Sequence, residues 1–271
     1  MKTSVIFSTY NSVEWLEKVL MGFNFQTVDD FEIIIADDGS DKKTKNKIDS
    51  MRSQIKVPIK HVWQEDDGFQ KTKILNKAIL AAEADYLIFT DGDCIPRNDF
   101  VETHLKQRAE NHFLSGGYFK LSMKTSKAIS VANIKNQDCF SVKWLLNNSM
   151  SPNFKFSKLT RKKFLASFLN KITPTTPSWN GHNSSAWKKD LLAVNGFNNE
   201  MKYGGEDREL GERLINFGLK PKQIRYAAIC VHLDHSRGYV SDEIWKKNND
   251  IRSSTRKNKT VQTPSGIAQL N

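Results

Sequence analysis

The first 93 residues alternate between short apolar runs and helical patterns, and this alternation leaves few folds open to the chain. Apolar, β-rich runs occupy residues 4–10, 31–40, 59–65 and 85–93. Runs that are apolar throughout, rather than at every second position, are typical of parallel strands in a sheet covered on both faces. The sequence therefore predicts an α/β fold with a parallel sheet. The helical patterns between the runs span residues 13–23, 41–53 and 72–84.

Polar residues follow three of the four predicted strands. These groups are Thr9–Asn11, Asp37–Ser40 and Asp91–Asp93. Because ligands of open parallel sheets bind at the carboxyl ends of the strands, we expect the three groups to share one site.

Asp91 and Asp93 are the most informative pair in this predicted site. Gly92 between them allows the chain to bend, so that both carboxylates project from the sheet. Two neighbouring carboxylates repel each other unless a cation lies beside them. Hard oxygen ligands favour Mn²⁺ or Mg²⁺, which keep positions open for substrate phosphates. The alternative interpretation is a solvated turn with acidic caps.

Further motifs carry candidate catalytic and metal-binding side chains. YGGEDREL places Glu206 and Asp207 after a glycine pair at a predicted helix start. Acidic residues there can simply favour the helix dipole, or one of them can act as a general base in a cleft. VHLDH places His232 and His235 near a strand end, where either could be a third metal ligand. Residues 180–187, NGHNSSAW, fit a substrate-recognition loop or a surface turn.

The second half of the chain is less regular. Residues 127–150 are predicted to be partly helical, and helices are expected near 188–194 and 206–218. Residues 227–238 have the pattern of a strand that continues into a loop. From about residue 250 the sequence is polar and basic, which predicts a weakly ordered tail.

The segment 154–172 is amphipathic and basic, with six basic residues and no acidic residue. Basic and aromatic side chains on an amphipathic segment can dock on an anionic membrane. The alternative is a helix that packs its apolar face on the sheet and leaves its lysines in water.

Composition limits the cellular setting that we expect. No stretch approaches the roughly 18 consecutive apolar residues of a membrane-spanning helix. The N-terminus lacks the apolar length of a secretory signal, so we interpret it as the first strand. Cys94, Cys139 and Cys230 are odd in number and far apart, which fits a reducing cytosol and buried thiols without a role of their own.

The formal net charge of +11 favours polyanionic partners such as nucleic acid, anionic lipid or a phosphorylated substrate. A nucleic-acid-binding module is one alternative, but the strand-end carboxylates would repel a phosphate backbone, so we expect no nucleic-acid partner. A sugar-phosphate nucleotidylyltransferase is another. It would need a glycine-rich phosphate loop after the first strand, and residues 8–12 contain no glycine.

Seven motifs, taken in order, resemble the inverting family 2 nucleotide-sugar glycosyltransferases. Within that family the chain resembles the bacterial chondroitin polymerase and galactosyltransferase-like branch. The resemblance covers residues 3–238. The motifs are SVIFSTYN, EIIIADDGS, QEDDGFQKTKILNKAI, DYLIFTDGDCIP, NGHNSSAW, GGEDRELGERL and VHLDH.

The resemblance implies a single-domain GT-A fold, with a mostly parallel mixed sheet flanked by helices. It implies metal-dependent inverting transfer of a sugar from a nucleotide sugar, by preference a UDP-sugar, to a glycan or glycolipid acceptor. The setting would be synthesis of a bacterial cell-surface polysaccharide or lipopolysaccharide. Such a protein would be cytoplasmic, with a peripheral place at the inner face of the plasma membrane.

The resemblance also divides the chain. The catalytic domain would span residues 1–240, with a nucleotide-binding half (1–100) and an acceptor-binding half (101–240). Residues 241–271 would form a basic C-terminal extension.

Individual residues acquire expected roles from the same resemblance. Asp207 would be the catalytic base, and Glu206 would orient the acceptor. Asp93 would bind Mn²⁺ or Mg²⁺ together with His232, unless His235 takes that place. Nucleotide contacts would come from Thr9, Tyr10, Asn11, Asp38, Lys73 and Asp91. Donor sugar or acceptor would meet Gly181, His182, Asn183 and Trp179, whose aromatic face could stack on a sugar ring.

Two positions depart from the family pattern. Ser8 stands where the family usually has a proline after the first strand. Tyr203 stands before the GGED motif, where the galactosyltransferase branch often has a tryptophan. These departures leave the sugar specificity open.

Overall fold

The computed structural model describes residues 2–236 and 241–270 of the chain. The strands are β1 (Thr3–Thr9), β2 (Phe31–Asp37), β3 (Ile59–Trp63), β4 (Tyr86–Asp91), β5 (Cys94–Pro96), β6 (His112–Ser115), β7 (Gly117–Lys120), β8 (Ser184–Trp187), β9 (Lys220–Gln223) and β10 (Ile229–His232). The α-helices are α1 (Val13–Asn24), α2 (Lys42–Met51), α3 (Lys71–Ala81), α4 (Phe100–Gln107), α5 (Met123–Ala128), α6 (Val131–Lys135), α7 (Val142–Asn147), α8 (Lys163–Ile172), α9 (Lys188–Ala193), α10 (Glu206–Asn216) and α11 (Asp242–Lys257). Short 3₁₀ helices span Asp138–Phe140, Phe154–Leu159 and Ile267–Gln269.

The main sheet has the strand order β3-β2-β1-β4-β8-β6-β9. The first four of these strands are parallel, as the apolar runs predict. β8 runs antiparallel to both of its neighbours, so the sheet is mixed. The parallel half brings the carboxyl ends of β1, β2 and β4 to one edge.

Burial on both faces of the sheet explains the continuous apolar strands. Val5 and Phe7 of β1 face one hydrophobic cluster, with α1 and α2. Ile6 between them faces the other cluster, with α3 and α10. All three side chains are fully buried, so neither face could carry a polar residue at low cost.

A second, smaller sheet joins the two halves of the chain. Its strand order is β5-β10-β7, with β10 antiparallel to β5. The register pairs His232 with Cys94, and Leu233 N–H donates to the carbonyl of Asp93 at 2.9 Å. This pairing brings VHLDH beside the Asp91–Asp93 turn, although about 140 residues of sequence separate them.

The helices expected near 188–194 and 206–218 are confirmed as α9 and α10. The partly helical stretch 127–150 holds α6, α7 and a 3₁₀ turn. The strand expected within 227–238 is β10, and residues 237–238 of its predicted loop lie outside the described residues. No helix in the described part of the chain is both long and apolar enough to cross a bilayer.

The weakly ordered tail expected from about residue 250 is wrong for the described C-terminal residues. α11 packs along α10, where Arg252 and Arg256 both reach Glu212. The buried Asn248 donates from its amide to the carbonyls of Lys202, Tyr203 and Gly204, at 2.9–3.3 Å. This extension therefore fixes the segment that leads into the GGED motif.

Candidate functional site

A cleft of about 510 Å³ lies at the carboxyl ends of β1, β2 and β4. The predicted convergence of the three strand-end groups is therefore seen in the structure. The cleft is lined by eight of the predicted site residues, which are Thr9, Tyr10, Asn11, Asp38, Asp91, Asp93, His232 and His235.

Gly92 at the head of the cleft permits a close backbone approach. Its N–H donates to Ser8 O at 3.0 Å, and a Cβ at this position would lie 2.5 Å from the same oxygen. A side chain larger than hydrogen would therefore force β1 and the Asp91–Asp93 turn apart. Residue 92 is glycine because of this contact as well as because of the bend.

Asp37 and Asp38 are adjacent but have different surroundings. Asp37 accepts from Ser40 N–H at 2.8 Å and lies 2.8 Å from His61 Nε2, so it fixes its own loop. Asp38 lines the cleft and accepts from Gln64 Nε2 at 2.7 Å and from Gln70 N–H at 2.9 Å. Burial raises the pKa of Asp38. Each carboxylate oxygen has a second lone pair, so Asp38 can still accept a hydrogen bond from a ligand.

Asp93 faces two imidazole rings. Its Oδ2 lies 3.0 Å from His235 Nε2 and 3.7 Å from His232 Nε2. In both rings Nδ1 lies 2.8 Å from a backbone carbonyl oxygen, that of Leu233 or Ser236. A carbonyl only accepts, so each Nδ1 carries a hydrogen and a neutral ring turns the Nε2 lone pair toward the carboxylate. Such an arrangement is stable when a proton or a metal ion lies between the groups.

The residues present fit a divalent cation. Asp93, Cys94 and His232 have potential ligand atoms within 4.8 Å of one another. Burial raises the pKa of Cys94 well above its usual value, so its sulfur is a neutral thiol that donates to Asp93 Oδ1 at 3.5 Å. Carboxylate oxygen and imidazole nitrogen remain, and both suit Mn²⁺. Cys94 is thus buried as expected, but it is also a hydrogen-bond partner of the site.

The charge of Asp93 is stabilised within this cluster. Burial alone would raise the pKa of Asp93. When the two rings carry a proton on Nε2 as well, the hydrogen bond from His235 and the charge of His232 outweigh burial, and the pKa of Asp93 is lowered. Asp93 is therefore an anion that is prepared for a cationic partner.

Lys71 occupies the centre of the acidic cluster. Its Nζ donates to Asp91 Oδ1 at 2.8 Å. Burial would lower the pKa of Lys71, but the charges of Asp91, Glu206 and Asp207 raise it above its usual value. Lys71 lines the cleft, whereas Lys73 of the same helix is not among the described residues that line it, and the expected place of Lys73 near the nucleotide stays a prediction.

Asp207 lies near Lys71 and Asp91. Gly205, at φ +85°, starts α10, and Asp207 is in its first turn. Asp207 Oδ2 accepts from Gly181 N–H at 3.0 Å. A methyl group placed on Gly181 would lie 3.4 Å from Lys71 Nζ and 3.6 Å from Asp91 Oδ1. Asp207 and Asp93 therefore belong to one side of the molecule, with Lys71 and Asp91 between them.

Glu206 is buried beneath this arrangement. Its Oε2 accepts from Gly204 N–H at 2.9 Å. Burial, and next the charge of Asp207, raise the pKa of Glu206. The side chain thus contacts the backbone of its own loop, and its expected role toward an acceptor stays a prediction.

Trp179 and Asn183 do not offer the surfaces expected of substrate contacts. Trp179 is fully buried, with Phe89 and Phe113 at ring-centroid distances of 5.4 and 5.8 Å, so no sugar can stack on it. Asn183 is also fully buried and donates to the carbonyls of Gly117 and Ala228. Both predicted substrate contacts are wrong, because these residues hold the core.

Asn183 belongs to a hydrogen-bond network whose directions are determined. Its Oδ1 accepts from Nε2 of the buried His104 at 2.9 Å, so Nδ1 of that ring accepts from the Ser185 hydroxyl at 2.7 Å. Tyr86 O–H then donates to Ser185 Oγ at 2.7 Å. Burial lowers the pKa of His104 to about 4, so the ring is neutral.

His182 lies between the network and the cleft. Its ring packs edge-on against Tyr118, with 4.3 Å between ring centroids. Burial lowers its pKa to about 4, and Asp91 and Asp93 are close enough to act on it. The His182 carbonyl accepts from the Thr90 hydroxyl at 2.9 Å, next to the acidic turn, and any contact with substrate stays a prediction.

The cleft also contains residues for which no role was expected. Tyr203 and Phe69 lie at its edge in a T-shaped pair, 5.8 Å between centroids. Asp66 accepts from the Tyr10 hydroxyl at 2.9 Å. The motifs QEDDGFQK and YGGED contain these residues, so their signal was present, but its assignment required the geometry.

Comparison with known proteins identifies the family. The family described as "Glycosyl transferase family 2" matches residues 4–165. The chain belongs to this family. The family described as "N-terminal domain of galactosyltransferase" matches residues 165–236.

Two curated relatives of this family 2 glycosyltransferase are similar over most of its length. The uncharacterized glycosyltransferase YfnE of Bacillus subtilis is 28% identical over 93% of the chain and 72% of the relative. The chondroitin synthase of Escherichia coli is 27% identical over 96% of the chain. The chain spans 37% of that synthase.

Solved structures share the fold. Staphylococcus aureus TarS in complex with UDP-GlcNAc superposes with a TM-score of 0.63 at 15% identity, over 100% of this chain and 69% of that one. A mannosyltransferase from Pyrobaculum calidifontis, in complex with GDP-Man and Mn²⁺, gives 0.60 at 18% identity, over 88% and 58%. The expected GT-A fold, a mostly parallel mixed sheet flanked by helices in a single domain, is confirmed.

Proposed function

We propose that this glycosyltransferase transfers a sugar from a nucleotide sugar, by preference a UDP-sugar, to a glycan or glycolipid acceptor, with inversion and with a divalent metal. One observation carries the proposal. A carboxylate that faces two imidazoles, Asp93, and a second carboxylate, Asp207, lie on the same side of the sheet edge, with Lys71 and Asp91 between them.

The donor end would be held by residues of the cleft. Asp38 has lone pairs free for a base N–H, and Tyr10 and Asn11 line the same wall. Asp93, with His232 and His235, would hold Mn²⁺ or Mg²⁺. When bound, the ion would supply positive charge against a diphosphate leaving group.

The acceptor end would be served by Asp207. An acceptor hydroxyl is a poor nucleophile until a base takes its proton, and positioned carboxylates can do this. Gly181 N–H holds one oxygen of Asp207, which fixes the direction of the carboxylate. Attack from the face opposite the leaving group inverts the anomeric carbon.

The setting we propose is bacterial surface polysaccharide or lipopolysaccharide synthesis. Support comes from relatives named chondroitin synthase and hyaluronan synthase, although the chain spans only 37% and 23% of them. We also propose the division into a nucleotide-binding half, residues 1–100, and an acceptor-binding half, residues 101–240. Residues 241–271 form the extension.

A screen for slow donor hydrolysis tests the proposal. The purified chain is incubated with a panel of UDP-, GDP- and CDP-sugars, with Mn²⁺, with Mg²⁺ or with chelator. We expect nucleotide release from one donor class, and none with chelator. Calorimetry then compares UDP plus Mn²⁺ with a single-stranded oligonucleotide in a salt series. Binding of the oligonucleotide but of no nucleotide would overturn the proposal.

A further inference from the structure

The solvent-facing side of α8 carries a stripe of apolar side chains. Of this helix, which lies wholly within the described residues, only Ala166 is buried. Phe164, Phe168 and Ile172 are 86%, 49% and 56% exposed. These residues are four apart, so they form one stripe along the helix. Apolar side chains in such a stripe normally face the core of a protein.

The opposite side of the helix holds it to the protein. Tyr226 N–H donates to Asn170 Oδ1 at 3.0 Å, and Gln223 Nε2 donates to the Asn170 carbonyl at 3.2 Å. Thr173 Oγ1 lies 3.2 Å from the Tyr226 hydroxyl. Since Ala166, Asn170 and Thr173 face inward, the apolar stripe faces solvent. The interpretation that the helix packs its apolar face on the sheet is therefore wrong.

The surroundings of this stripe are basic. Lys155, Arg161, Lys162, Lys163 and Lys171 are all exposed. The sequence contains no acidic residue between Asp138 and Asp190. Phe154, 84% exposed, extends the apolar surface into the preceding 3₁₀ turn. We call residues 154–172 the basic-apolar face.

We propose that the basic-apolar face docks on an anionic lipid surface. A helix that lies in the membrane interface inserts its apolar side among the acyl chains, and flanking lysines and arginines pair with anionic headgroups. Both components are present on α8 and the segment that leads into it. Charge complementarity favours anionic lipid over a second copy of this chain, because the copy would bring the same positive charge to the contact.

The face is connected to the cleft by direct contacts. Lys158 Nζ donates to the carbonyl of Tyr118 at 3.2 Å. The Tyr118 ring packs against His182, and it lies 5.7 Å from the His232 ring. Docking would therefore place the cleft close to the lipid surface, where a lipid-linked acceptor could enter it. This last step rests on the proposed function, whereas lipid binding itself does not.

Vesicle co-sedimentation of the full chain tests the docking. The vesicles are phosphatidylcholine alone, or phosphatidylcholine with phosphatidylglycerol. We expect binding to the anionic vesicles only, weakened by added salt. Reversal of three charges, R161E/K162E/K163E, should weaken binding about 100-fold or more, since the loss of each basic residue alone costs about fivefold. F164S/F168S should also weaken it, because it removes the apolar insertion.

A matched control reverses three exposed lysines elsewhere, K42E/K43E/K56E. This variant should keep most of the binding, and thermal unfolding checks that each variant is folded. Absent binding, or equal loss in the control, would overturn the proposal. So would a wild-type dimer in analytical ultracentrifugation that F164S/F168S converts to monomer, because a second copy would then cover the face.

Discussion

The ammonium group of Lys71 lies 2.8 Å from Asp91 Oδ1, and its charge also acts on Glu206 and Asp207. One partly buried cation thus offsets the repulsion among three carboxylates, which come from β4 and from the start of α10. The charge of Lys71 thus couples Asp91, on the proposed nucleotide side, to Asp207, the proposed catalytic base, although the two are distant in sequence.

Replacement of Lys71 by methionine should lower turnover by about 100-fold or more, because small displacements of positioned groups have effects of that size. Lys71 lowers the pKa of Glu206, so its loss lets Glu206 protonate at higher pH. The acidic limb of the pH–rate profile should therefore shift to higher pH. K71R keeps the charge and should keep the limb in place. K73M, outside the cleft, is the control, and equal profiles for K71M and K73M would contradict the assignment.

Asp207→Asn should lower turnover by about 10²–10⁴-fold, since the amide cannot take a proton. The amide oxygen can still accept from Gly181 N–H, so the loop should keep its shape. Donor affinity, measured by calorimetry with Mn²⁺, should be unchanged. An equal loss of donor affinity would show that the role is misassigned.

The parallel half of the fold could be predicted because its strands are buried on both faces. Val5, Ile6 and Phe7 face opposite clusters in turn, and this leaves an uninterrupted apolar run in the sequence. The strand-end carboxylates could be predicted for the same reason, since parallel strands end at one edge. The pairing of His232 with Cys94 could not, because it depends on a sheet between distant segments.

The failures have physical causes too. A tryptophan in a turn-rich stretch can face the core or the solvent, and nothing in the sequence indicated that Trp179 lies between Phe89 and Phe113. Lys71 and Lys73 are two positions apart on one helix, about 200° around its axis, and the sequence alone does not show which of the two faces the cleft. The C-terminal residues are held by hydrogen bonds and ion pairs rather than by an apolar stripe.

Asp93→Ala should abolish the Mn²⁺-dependent part of nucleotide binding. The matched control is Cys94→Ala, which removes a neutral thiol that lies beside the same ligands. We expect C94A to retain the Mn²⁺ dependence. His232→Ala and His235→Ala should each weaken it, since both Nε2 atoms face Asp93. Calorimetry of UDP with and without Mn²⁺ measures all four variants. Unchanged Mn²⁺ dependence in D93A would contradict the assignment of the metal site to Asp93.

Asn248→Ala should lower turnover more than it lowers donor affinity. The Asn248 amide holds the carbonyls of Lys202, Tyr203 and Gly204, which lead directly into Glu206 and Asp207. Loss of these bonds leaves buried acceptors unpaired, at about 1–3 kcal/mol. The measurement is kcat together with the UDP dissociation constant. Asn258→Ala, at the exposed C-terminal end of α11, is the control. Equal kcat values in the two variants would refute a positioning role for the extension.

Stability should fall in mild acid because His104 is buried as the neutral ring. The folded-state pKa is about 4, compared with 6.5 for an ordinary histidine. Between these values the unfolded chain binds the extra proton and the folded chain does not, so stability rises with pH through this window. The contribution is complete above about pH 6.5, and roughly 2 kcal/mol of it is lost by pH 5.

Urea unfolding at pH 7 and pH 5 measures this contribution in the wild type and in His104→Gln. The variant starts from lower stability, because it disturbs the bonds to Asn183 and Ser185. Its further loss between the two pH values should nevertheless be smaller by about 2 kcal/mol, since one titrating group is gone. His182, also shifted to about 4, remains in both proteins, so its contribution cancels in the comparison. An identical pH dependence in the two proteins would mean that His104 takes up its proton equally in the folded and unfolded chains.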